Sequence, residues 1–484
     1  MKKLNLLFLF ILIIGASIRL YDLNWETFGD GEIEIYQAAT EFLKGNFINN
    51  FYIFSEAPLG KYLFTAFSLI TPVEFGMRLI SVIFGIATII AVFYLTKRLY
   101  DDKWMPLLAS LFTAFSIIHI QFSRYVQLET MLSFFYVITF YLFFEFLKKR
   151  TNRNAILLGI VSALGLLIKF AFIYALLTLF IFFITERLIS FKKNHRSSIS
   201  IDNKLIKTFF AFILTFFLIW PNSLYPLNTH FTVYVEDSFD THKIDRGIPV
   251  LLLTLGYRFT ELGTAITDNV FLNLPIIGNL FFFMVKESMI FILLFFVGLL
   301  AILKKPKEKD FYVLIILAVF FVLVWLQDLR YTCRYLTIII PFLAIVSARS
   351  ILLIKKYIPP QIVFCIIFII MFAYTLIAQP NYALFYNELQ PTLKIPESET
   401  RYGEGIRDLV NDIANCSSVL ISKAYIFKIE YHYPGLANYN TTHADCVVTD
   451  ETDKTIDDYI KQRICNLTNT ITKKGKDLFK IYSC

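Results

Sequence analysis

The sequence predicts an α-helical polytopic membrane protein with about 11 to 13 transmembrane helices and a small C-terminal extracytoplasmic α/β domain. Of the 484 residues, 57% are hydrophobic, and the mean hydropathy is +0.61. Charged residues make up 17% of the chain, below the roughly 25% typical of soluble proteins. The net charge of +8 lies in short loops between apolar runs, so it indicates membrane topology rather than nucleic-acid binding.

Runs of about 20 apolar residues with few charges mark the predicted transmembrane helices. They lie at 4–20, 78–98, 105–122, 128–147, 154–170, 171–189, 206–221, 279–303, 311–327, 335–353 and 361–379. The first run follows two lysines, like a signal peptide, but it has no convincing small-residue cleavage site. We therefore expect it to be retained as the first helix. The stretch 60–73 is apolar but short, which favours an interfacial or re-entrant segment.

Basic residues in alternate loops predict the orientation of these helices. With the N-terminus in the cytoplasm, every loop on that side is basic, as in 148–153 and 304–309, which is what the positive-inside rule requires. The opposite side then holds the long loop near 222–278 and a polar tail. We expect two domains, a transmembrane domain over residues 1–379 and an extracytoplasmic soluble domain over 380–484.

The tail has the features of a domain in an oxidising compartment. It contains N-glycosylation sequons at Asn415, Asn440 and Asn466. It also contains four of the six cysteines, Cys416, Cys446, Cys465 and Cys484. An even number of cysteines predicts two disulfide bonds, in one of three pairings. Short apolar runs such as 419–421 predict buried strands.

Ionisable residues gather at the helix ends on the predicted outer side, where hydrocarbon makes them costly unless they line a polar cavity. Four clusters stand out: Asp30 to Tyr36, Ala57 to Lys61 with Arg78, Ser123 to Glu129, and Lys169. Weaker signals come from Lys286, Glu287, Arg330 and Arg334. Each cluster has a structural alternative: a solvated acidic loop, a lysine that reaches to the interface, or a salt bridge within one loop. Their shared side favours a single pocket that holds an anionic headgroup and activates a hydroxyl.

The order and spacing of these motifs resemble the GT-C glycosyltransferases, specifically the protein O-mannosyltransferases of glycosyltransferase family 39 and the bacterial enzyme that adds aminoarabinose to lipid A. The matching segments are Asp30 and Glu32 ahead of Tyr36, Ala57-Pro58-Leu59-Gly60-Lys61, Arg78-Leu79, Ser123-Arg124 ahead of Glu129, Gly165-Leu166 ahead of Lys169, Lys286-Glu287, and Arg334-Tyr335 ahead of Pro341. The family usually has an adjacent Asp-Glu pair, whereas here Glu32 takes the first place and Ile33 the second. Glu129 stands where the family usually has Asp. The loop near 222–278 is too short for the β-trefoil insert of the eukaryotic members.

The resemblance implies an inverting glycosyltransferase that moves a mannose-like hexose, or a pentose, from a polyprenyl or dolichyl phosphate to a hydroxyl of a protein, lipid or glycan. It implies that Glu32 or Asp30 is the catalytic base and that Glu129 orients a cation, the acceptor or a metal ion. The implied substrate-binding residues are Lys61, Arg78, Arg124, Lys169, Arg334 and Tyr36. A divalent ion held by Asp30, Glu32 and Glu129 is compatible with so many carboxylates, but a monophosphate donor does not demand one, and no other cofactor is expected.

Three other classes compete with this interpretation. A lipid or solute transporter often has internal repeats and helices broken by Gly or Pro at the membrane midplane, and the sequence shows neither. An oligosaccharyltransferase has a Trp-Trp-Asp-Tyr-Gly run in its soluble domain, but none of the four tryptophans is adjacent to another or lies in the tail. A non-catalytic subunit would not need these gathered charges. We expect membrane lipid, a lipid-linked sugar donor and a protein or glycan acceptor as partners, and no nucleic acid. We expect the protein to lie in an archaeal cell membrane or, in a eukaryote, in the endoplasmic reticulum.

Overall fold

The computed structural model describes most of the first 385 residues and several strands of the tail. The described residues are 2–24, 28, 30–45, 57–194, 203–224, 226–227, 230–235, 238–243, 248–249, 275–326, 333–380, 382, 385, 409, 411–413, 416, 419–421, 437–438, 446–449, 465–473 and 476–483.

Helices dominate the described chain, because an apolar run can satisfy its backbone hydrogen bonds within a helix. The first group of helices comprises α1 (Lys2–Leu20), α2 (Asp30–Leu43), α3 (Pro58–Phe67), α4 (Val73–Leu99), α5 (Met105–Phe115), α6 (Ile117–Ser123), α7 (Leu128–Lys148) and α8 (Asn152–Ile168). The second group comprises α9 (Ile173–Asn194), α10 (Asn203–Ile219), α11 (Pro275–Lys286), α12 (Met289–Lys304), α13 (Glu308–Leu326), α14 (Leu336–Ala348), α15 (Ile351–Ile354) and α16 (Pro360–Ala378). Short 3-10 turns lie at Phe170–Phe172, Pro221–Leu224 and Cys333–Tyr335.

The helices have the length and composition of a membrane protein. Within the described residues, four are long and apolar enough to cross a membrane, and the bent pair α5–α6 would be a fifth as one span. Shorter apolar helices cover Leu4–Leu20, Asn152–Ile168, Phe170–Glu186 and Met289–Lys304. The predicted helical membrane fold is confirmed, whereas the predicted number of spans stays a prediction.

Two of the predicted helices are broken in the structure. The run expected at 105–122 bends by 58° between α5 and α6, at Ser116. The run expected at 279–303 is interrupted at Glu287 and Ser288, between α11 and α12. Both predictions of one continuous helix were wrong, because hydropathy averages over a single polar residue that redirects the backbone. Neither break lies at a glycine or a proline, so the expectation of no Gly/Pro-broken helices, used above against a transporter, stays a prediction.

Helix α14 lies at the centre of the helical bundle and packs against α5, α7, α12 and α13. All of its 13 residues are buried, so it presents almost no surface to lipid. Its first residue follows the turn Cys333–Tyr335, and its last turn leads to Arg349. The two ends of α14 therefore mark two opposite ends of the bundle, about 20 Å apart.

Charged side chains fasten the helices together at the end of the bundle that contains Arg349. The guanidinium of buried Arg349 donates to both carboxylate oxygens of buried Asp310 (3.1 and 3.2 Å), and the hydroxyl of Tyr100 donates to the same carboxylate (2.8 Å). Lys355 pairs with Asp102 at 2.6 Å. We call these five residues the far-end network. It joins the ends of α4, α13 and α14 and the loop before α5.

The short strands of the chain form small sheets. Strands β1 (Pro226–Leu227) and β4 (Ile248–Pro249) pair with each other, as do β2 (His230–Val235) and β3 (Ser238–Lys243). The tail contains β5 (Val419–Ile421), β6 (Ala437–Asn438), β7 (Cys446–Thr449), β8 (Asn466–Lys473) and β9 (Lys476–Ser483).

The tail strands form one five-stranded sheet in the order β6-β5-β7-β9-β8. Strand β5 runs parallel to both of its neighbours, and β9 runs antiparallel to β7 and β8. A disulfide bond joins Cys416 to Cys446, and Cys465 is also disulfide-bonded. The small C-terminal sheet that the apolar run at 419–421 predicted is confirmed.

Candidate functional site

The candidate site lies where several helix ends meet, at the end of the bundle opposite the far-end network. Helices α2, α4 and α7 bring their first turns to this place, and the end of α8 and the turn Cys333–Tyr335 complete it. Its charged side chains are Glu32, Arg78, Glu129, Lys169 and Arg334, and we call this set the rim cluster. Sequence alone placed all five on one face, and the structure resolves them into two groups.

The first group is a buried ion pair between α2 and α4. Arg78 Nε and Nη2 donate to the two carboxylate oxygens of Glu32 at 2.9 and 2.8 Å. Glu32 is only 2% exposed and Arg78 is fully buried. The backbone N–H of Val126 also donates to Glu32, at 2.8 Å. A two-pronged pair of this kind fixes geometry as well as charge, so Glu32 holds α2 against α4 and against the loop before α7.

Aromatic rings flank this pair. The guanidinium carbon of Arg78 lies 5.7 Å from the centre of the Phe28 ring, and Phe28 lies 5.5 Å from the ring of Tyr36. Glu32 and Tyr36 are four residues apart on α2, so they share a helix face. The structure thus places Tyr36 beside the first group, on the side of Phe28.

The second group surrounds Glu129, in the first turn of α7. Lys169 Nζ lies 2.9 Å from Glu129 Oε1, and Arg334 Nε lies 3.8 Å from the same oxygen. Both cations also lie over the ring of Tyr335, at 5.5 and 5.0 Å from its centre. The carboxylate of Glu129 is buried, whereas the side chain of Arg334 is 36% exposed. Among the described residues, this group thus brings two cations to one carboxylate.

The other carboxylate oxygen of Glu129 has no hydrogen-bond partner among the described residues, although it is buried. A buried charged oxygen without a partner is costly. The cost is removed when a donor reaches the oxygen, as a water molecule, a substrate hydroxyl or a metal ion would. The arrangement therefore presents an acceptor atom beside two cations.

Lys61 is also buried, at 2% exposure, on helix α3. Pro58 starts this helix at a position where proline costs no hydrogen bond. A side chain at Gly60 would collide with Leu128, and its Cβ would lie 3.7 Å from the carbonyl oxygen of Ile168. At Gly60, α3 approaches the start of α7 and the end of α8 so closely that a larger residue would require Leu128 to move. This approach brings the backbone of Lys61 to the neighbourhood of the second group.

Arg124 makes contacts of a different kind. It donates to the carbonyl oxygens of Ile18, Arg19, Tyr21 and Asp22. These carbonyls follow or end α1, where no helical partner remains for them. Its predicted role in substrate binding stays a prediction, and its visible role is to hold the end of α1.

The tail reaches the same place through Tyr382. This residue is 1% exposed, and its ring lies 5.5 Å from the guanidinium carbon of Arg124. Burial raises the pKa of the Tyr382 hydroxyl to about 12, so it remains protonated at neutral pH. The sequence analysis missed Tyr382, because a single tyrosine after a proline gives no signal that it is buried against arginine.

The structure describes only part of the surroundings of the remaining predicted site residues. Asp30 is the first residue of α2, but its side chain lies outside the described part of the structure. Glu287 is fully buried, and its described partners are the hydroxyl of Ser116 and the backbone N–H groups of Ile117 and Ile118. The described residues contain no group of three or more His, Cys, Asp or Glu that could hold a metal ion, so the suggestion of a divalent ion remains open.

Comparison with known proteins gives one family match. Residues 55–222 match the model of the family described as dolichyl-phosphate-mannose-protein mannosyltransferase. This segment contains Lys61, Arg78, Arg124, Glu129 and Lys169. No curated protein sequence matches the chain significantly.

Several solved structures resemble this one. ArnT from Cupriavidus metallidurans in the apo state aligns over 99% of this chain and 98% of that chain, with 12% identity and a TM-score of 0.52. The same protein bound to undecaprenyl phosphate aligns with a TM-score of 0.51, 12% identity, and coverage of 98% and 97%. The Archaeoglobus fulgidus oligosaccharyltransferase in the apo form aligns over 92% of this chain and 69% of that chain, with 15% identity and a TM-score of 0.52.

The Pmt1-Pmt2 protein O-mannosyltransferase complex of S. cerevisiae, bound to the sugar donor, aligns over a smaller part. The alignment covers 45% of this chain and 32% of that chain, with 19% identity and a TM-score of 0.38. The chain therefore spans about a third of the length of this neighbour. The family match and the shared folds confirm the resemblance that the sequence motifs predicted.

Proposed function

We propose that this chain, a membrane glycosyltransferase of the GT-C type, transfers a sugar from a polyprenyl or dolichyl phosphate carrier to an acceptor hydroxyl. The observation that carries the proposal is the second group of the rim cluster. Two cations, Lys169 and Arg334, share one buried carboxylate, Glu129, and one of the two cations is open to solvent. The fold shared with ArnT bound to undecaprenyl phosphate supports a polyprenyl carrier.

The charge balance of this group suits such a donor. A sugar linked to a polyprenyl phosphate is a phosphodiester with one negative charge. When it binds, its phosphate lies beside the cations Lys169 and Arg334. As the bond between the sugar and the phosphate breaks, a second negative charge develops on the leaving phosphate, and cations already in place stabilise it without reorganisation.

The oxygen of Glu129 that has no partner among the described residues has a role in this scheme. A donor phosphate carries no hydrogen to give, so that oxygen suits a hydroxyl of the sugar or of the acceptor. We assign Glu129 the orientation of a hydroxyl next to the phosphate site. Lys61, on the helix that packs against the start of α7, adds a further positive charge to the same region.

We assign the catalytic base to Asp30 rather than to Glu32. The carboxylate of Glu32 already accepts two hydrogen bonds from Arg78 and one from the backbone of Val126, which suits a residue that holds α2 in place. Asp30 begins α2, two residues earlier, in a position that the same ion pair fixes. A positioned carboxylate that accepts the acceptor proton contributes roughly 10²–10⁴-fold to the rate.

The orientation and the two-domain division are part of the proposal. The basic loops favour a cytoplasmic N-terminus, which places the rim cluster and the tail from residue 380 on the outer side. The sequons and disulfide bonds of the tail support that side. A mannose-like sugar is favoured by the family match over 55–222, and a hydroxyl of a protein, lipid or glycan is the acceptor class.

The test is sugar transfer by the purified protein in detergent or lipid nanodiscs, with radiolabelled polyprenyl and dolichyl phosphate sugars and a panel of acceptors. We expect Asp30→Asn to lower kcat by about 10² or more with little change in donor affinity. Glu32→Gln should lower both the activity and the stability of the protein. Glu41→Gln is a matched control, because Glu41 lies on the same helix in an exposed pair with Lys44.

Retention of the wild-type rate by both Asp30→Asn and Glu32→Gln would refute the assignment of the base to α2. Wild-type protein that moves the labelled lipid between leaflets without labelling any acceptor would favour a transporter instead.

A further inference from the structure

The break between α5 and α6 leaves backbone groups without helical partners on both sides. Ser116 is extended, with φ −61° and ψ 122°, and the two helices meet at 58°. The last carbonyls of α5 and the first amides of α6 are therefore free of the usual helical hydrogen bonds. Every one of these groups inside a buried core needs another partner.

Arg19 of α1 occupies the carbonyl side of the break. Its guanidinium donates to the carbonyl oxygens of Ala114 at 2.8 Å and Thr113 at 3.3 Å. It also lies 2.9 Å from Nδ1 of His119, on α6. Arg19 is fully buried. A cation thus sits at the C-terminal end of α5, where the helix dipole favours positive charge.

Glu287 occupies the amide side of the break. Its two carboxylate oxygens accept from the backbone N–H groups of Ile117 at 3.1 Å and Ile118 at 3.2 Å. It also accepts from the hydroxyl of Ser116, and that hydroxyl in turn accepts from the N–H of His119 at 3.1 Å. A carboxyl group thus sits at the N-terminal end of α6, and its oxygens accept from the amides that lack helical partners.

The two residues come from distant parts of the chain, yet each completes one half of the same break. We call Arg19, Ser116 and Glu287 the brace. Because protein side chains bind Thr113, Ala114, Ile117 and Ile118, the break differs from the broken helices of transporters, which expose such groups to a solute.

The far end of α6 leads directly into the rim cluster. Helix α6 ends at Ser123, and three residues later the N–H of Val126 donates to Glu32. Glu129, in the first turn of α7, then pairs with Lys169. The seven residues of α6 span roughly 10 Å. A tilt of about 10° at the break would move the other end by nearly 2 Å. Losses of about 10²-fold in rate follow from misplacements near 1 Å.

We propose that Glu287 and Arg19 are positioning residues for sugar transfer, because they set the direction of α6 and so the places of the Val126 amide and Glu129. Neither residue touches the rim cluster through a described contact, and each acts through the backbone of α6. The kinetic part of this inference rests on the proposed function, whereas its structural part does not.

The test uses Glu287→Gln, which keeps the size of the side chain but leaves only one of its two acceptor oxygens. We expect deuterium uptake to rise in the peptide over 117–127 and to stay unchanged over 152–168, measured by hydrogen exchange and mass spectrometry. We expect kcat to fall about tenfold or more, with KM for the donor within about threefold. Glu287→Asp should recover part of kcat, and Arg19→Lys should keep more of it than Arg19→Met. The matched control is Glu186→Gln, which removes a carboxylate that binds Tyr312 between α9 and α13.

The outcomes separate the two proposals. Unchanged uptake over 117–127 in Glu287→Gln overturns the brace, whatever the activity. Raised uptake with an unchanged kcat shows a structural role only and overturns the positioning role. If the wild-type protein transfers no sugar, the proposed function fails, and the exchange data alone then support or overturn the brace.

Discussion

Replacing Lys169 by methionine separates the structural work of the rim cluster from its chemical work. The Lys169–Glu129 pair is 2.9 Å long, and its side chains are only 8% and 1% exposed. At an effective dielectric constant of about 20, the attraction at this distance is roughly 6 kcal/mol before desolvation. Breaking such a pair costs about 3–5 kcal/mol, because one charge is left buried and unmatched. Arg334, at 3.8 Å from the same oxygen, compensates in part, so we expect a loss of stability near 3 kcal/mol.

The double variant Lys169→Met with Glu129→Gln should be more stable than Lys169→Met alone. It leaves no buried carboxylate behind, and the remaining cation, Arg334, is partly hydrated. The same double variant should transfer no measurable sugar, because the donor phosphate has lost a cation and the hydroxyl its acceptor. Stability is thus expected to return without activity.

Unfolding by a rising fraction of sodium dodecyl sulfate in mixed micelles, followed by circular dichroism, gives the free energies for a double-mutant cycle. Activity per folded molecule comes from the transfer assay. The pair of Lys44 and Glu41 at the end of α2 serves as the control, since a partly exposed pair should couple by less than about 1 kcal/mol. Additive losses at Lys169 and Glu129, or a double variant with the wild-type rate, would refute the reasoning.

Three further predictions concern the surroundings of the cluster. Arg78→Lys keeps the charge but removes the fork that holds Glu32, and it should cost about 1.5–3 kcal/mol and slow transfer; an unchanged unfolding curve would contradict this. Gly165→Ala places a Cβ within 2.7 Å of three ring carbons of Phe172, so we expect a loss of about 1–3 kcal/mol and a higher KM for the donor, and wild-type values for both would count against the packing. Burial opposes the charge of Asp102. Hydrogen bonds from Lys355 and from two backbone N–H groups nevertheless hold the pKa of Asp102 below the ordinary 3.8. The stabilising effect of the Asp102 carboxylate should therefore be present above about pH 4 and fade as the pH falls further. The variant Asp102→Asn should show a flatter profile of unfolding free energy against pH over that acid range. Identical profiles for the two proteins would contradict the assignment.

Hydropathy and loop charge predicted most of the helices, because lipid forces the backbone into helices whatever the neighbouring residues do. The same averaging hid the two breaks. At the break, the Ser116 hydroxyl and the distant carboxyl group of Glu287 replace the helical hydrogen bonds of the first amides of α6. The local sequence around Ser116 does not predict that Glu287 is the partner.

The charges at the predicted outer helix ends were found from sequence because each is expensive near hydrocarbon. Which charge pairs with which was not predictable from spacing. Lys169 meets Glu129 across 40 residues, whereas Arg124 turns away from Glu129 to the end of α1. The sequence analysis considered a salt bridge between Arg124 and Glu129, but the contacts described for the two residues are with other partners.

The far-end network shows a further limit of pattern reading. Asp310 lies among the lysines of a loop that the positive-inside rule explains by itself, so its buried pairing with Arg349 had no distinct signal. Such pairing depends on two helices that meet only in the folded bundle.

Photo-crosslinking tests the central claim most directly, that the rim cluster and its neighbours form one site for a lipid-linked phosphate. A polyprenyl phosphate with a diazirine next to the phosphate would be irradiated with the full-length protein, and the labelled peptides identified by mass spectrometry. We predict labels in 58–67, 165–172 and 333–337, reduced by an excess of unlabelled polyprenyl phosphate and by Lys169→Met with Glu129→Gln. Labels confined to 97–105, 304–310 and 349–356, at the far end, would contradict the account.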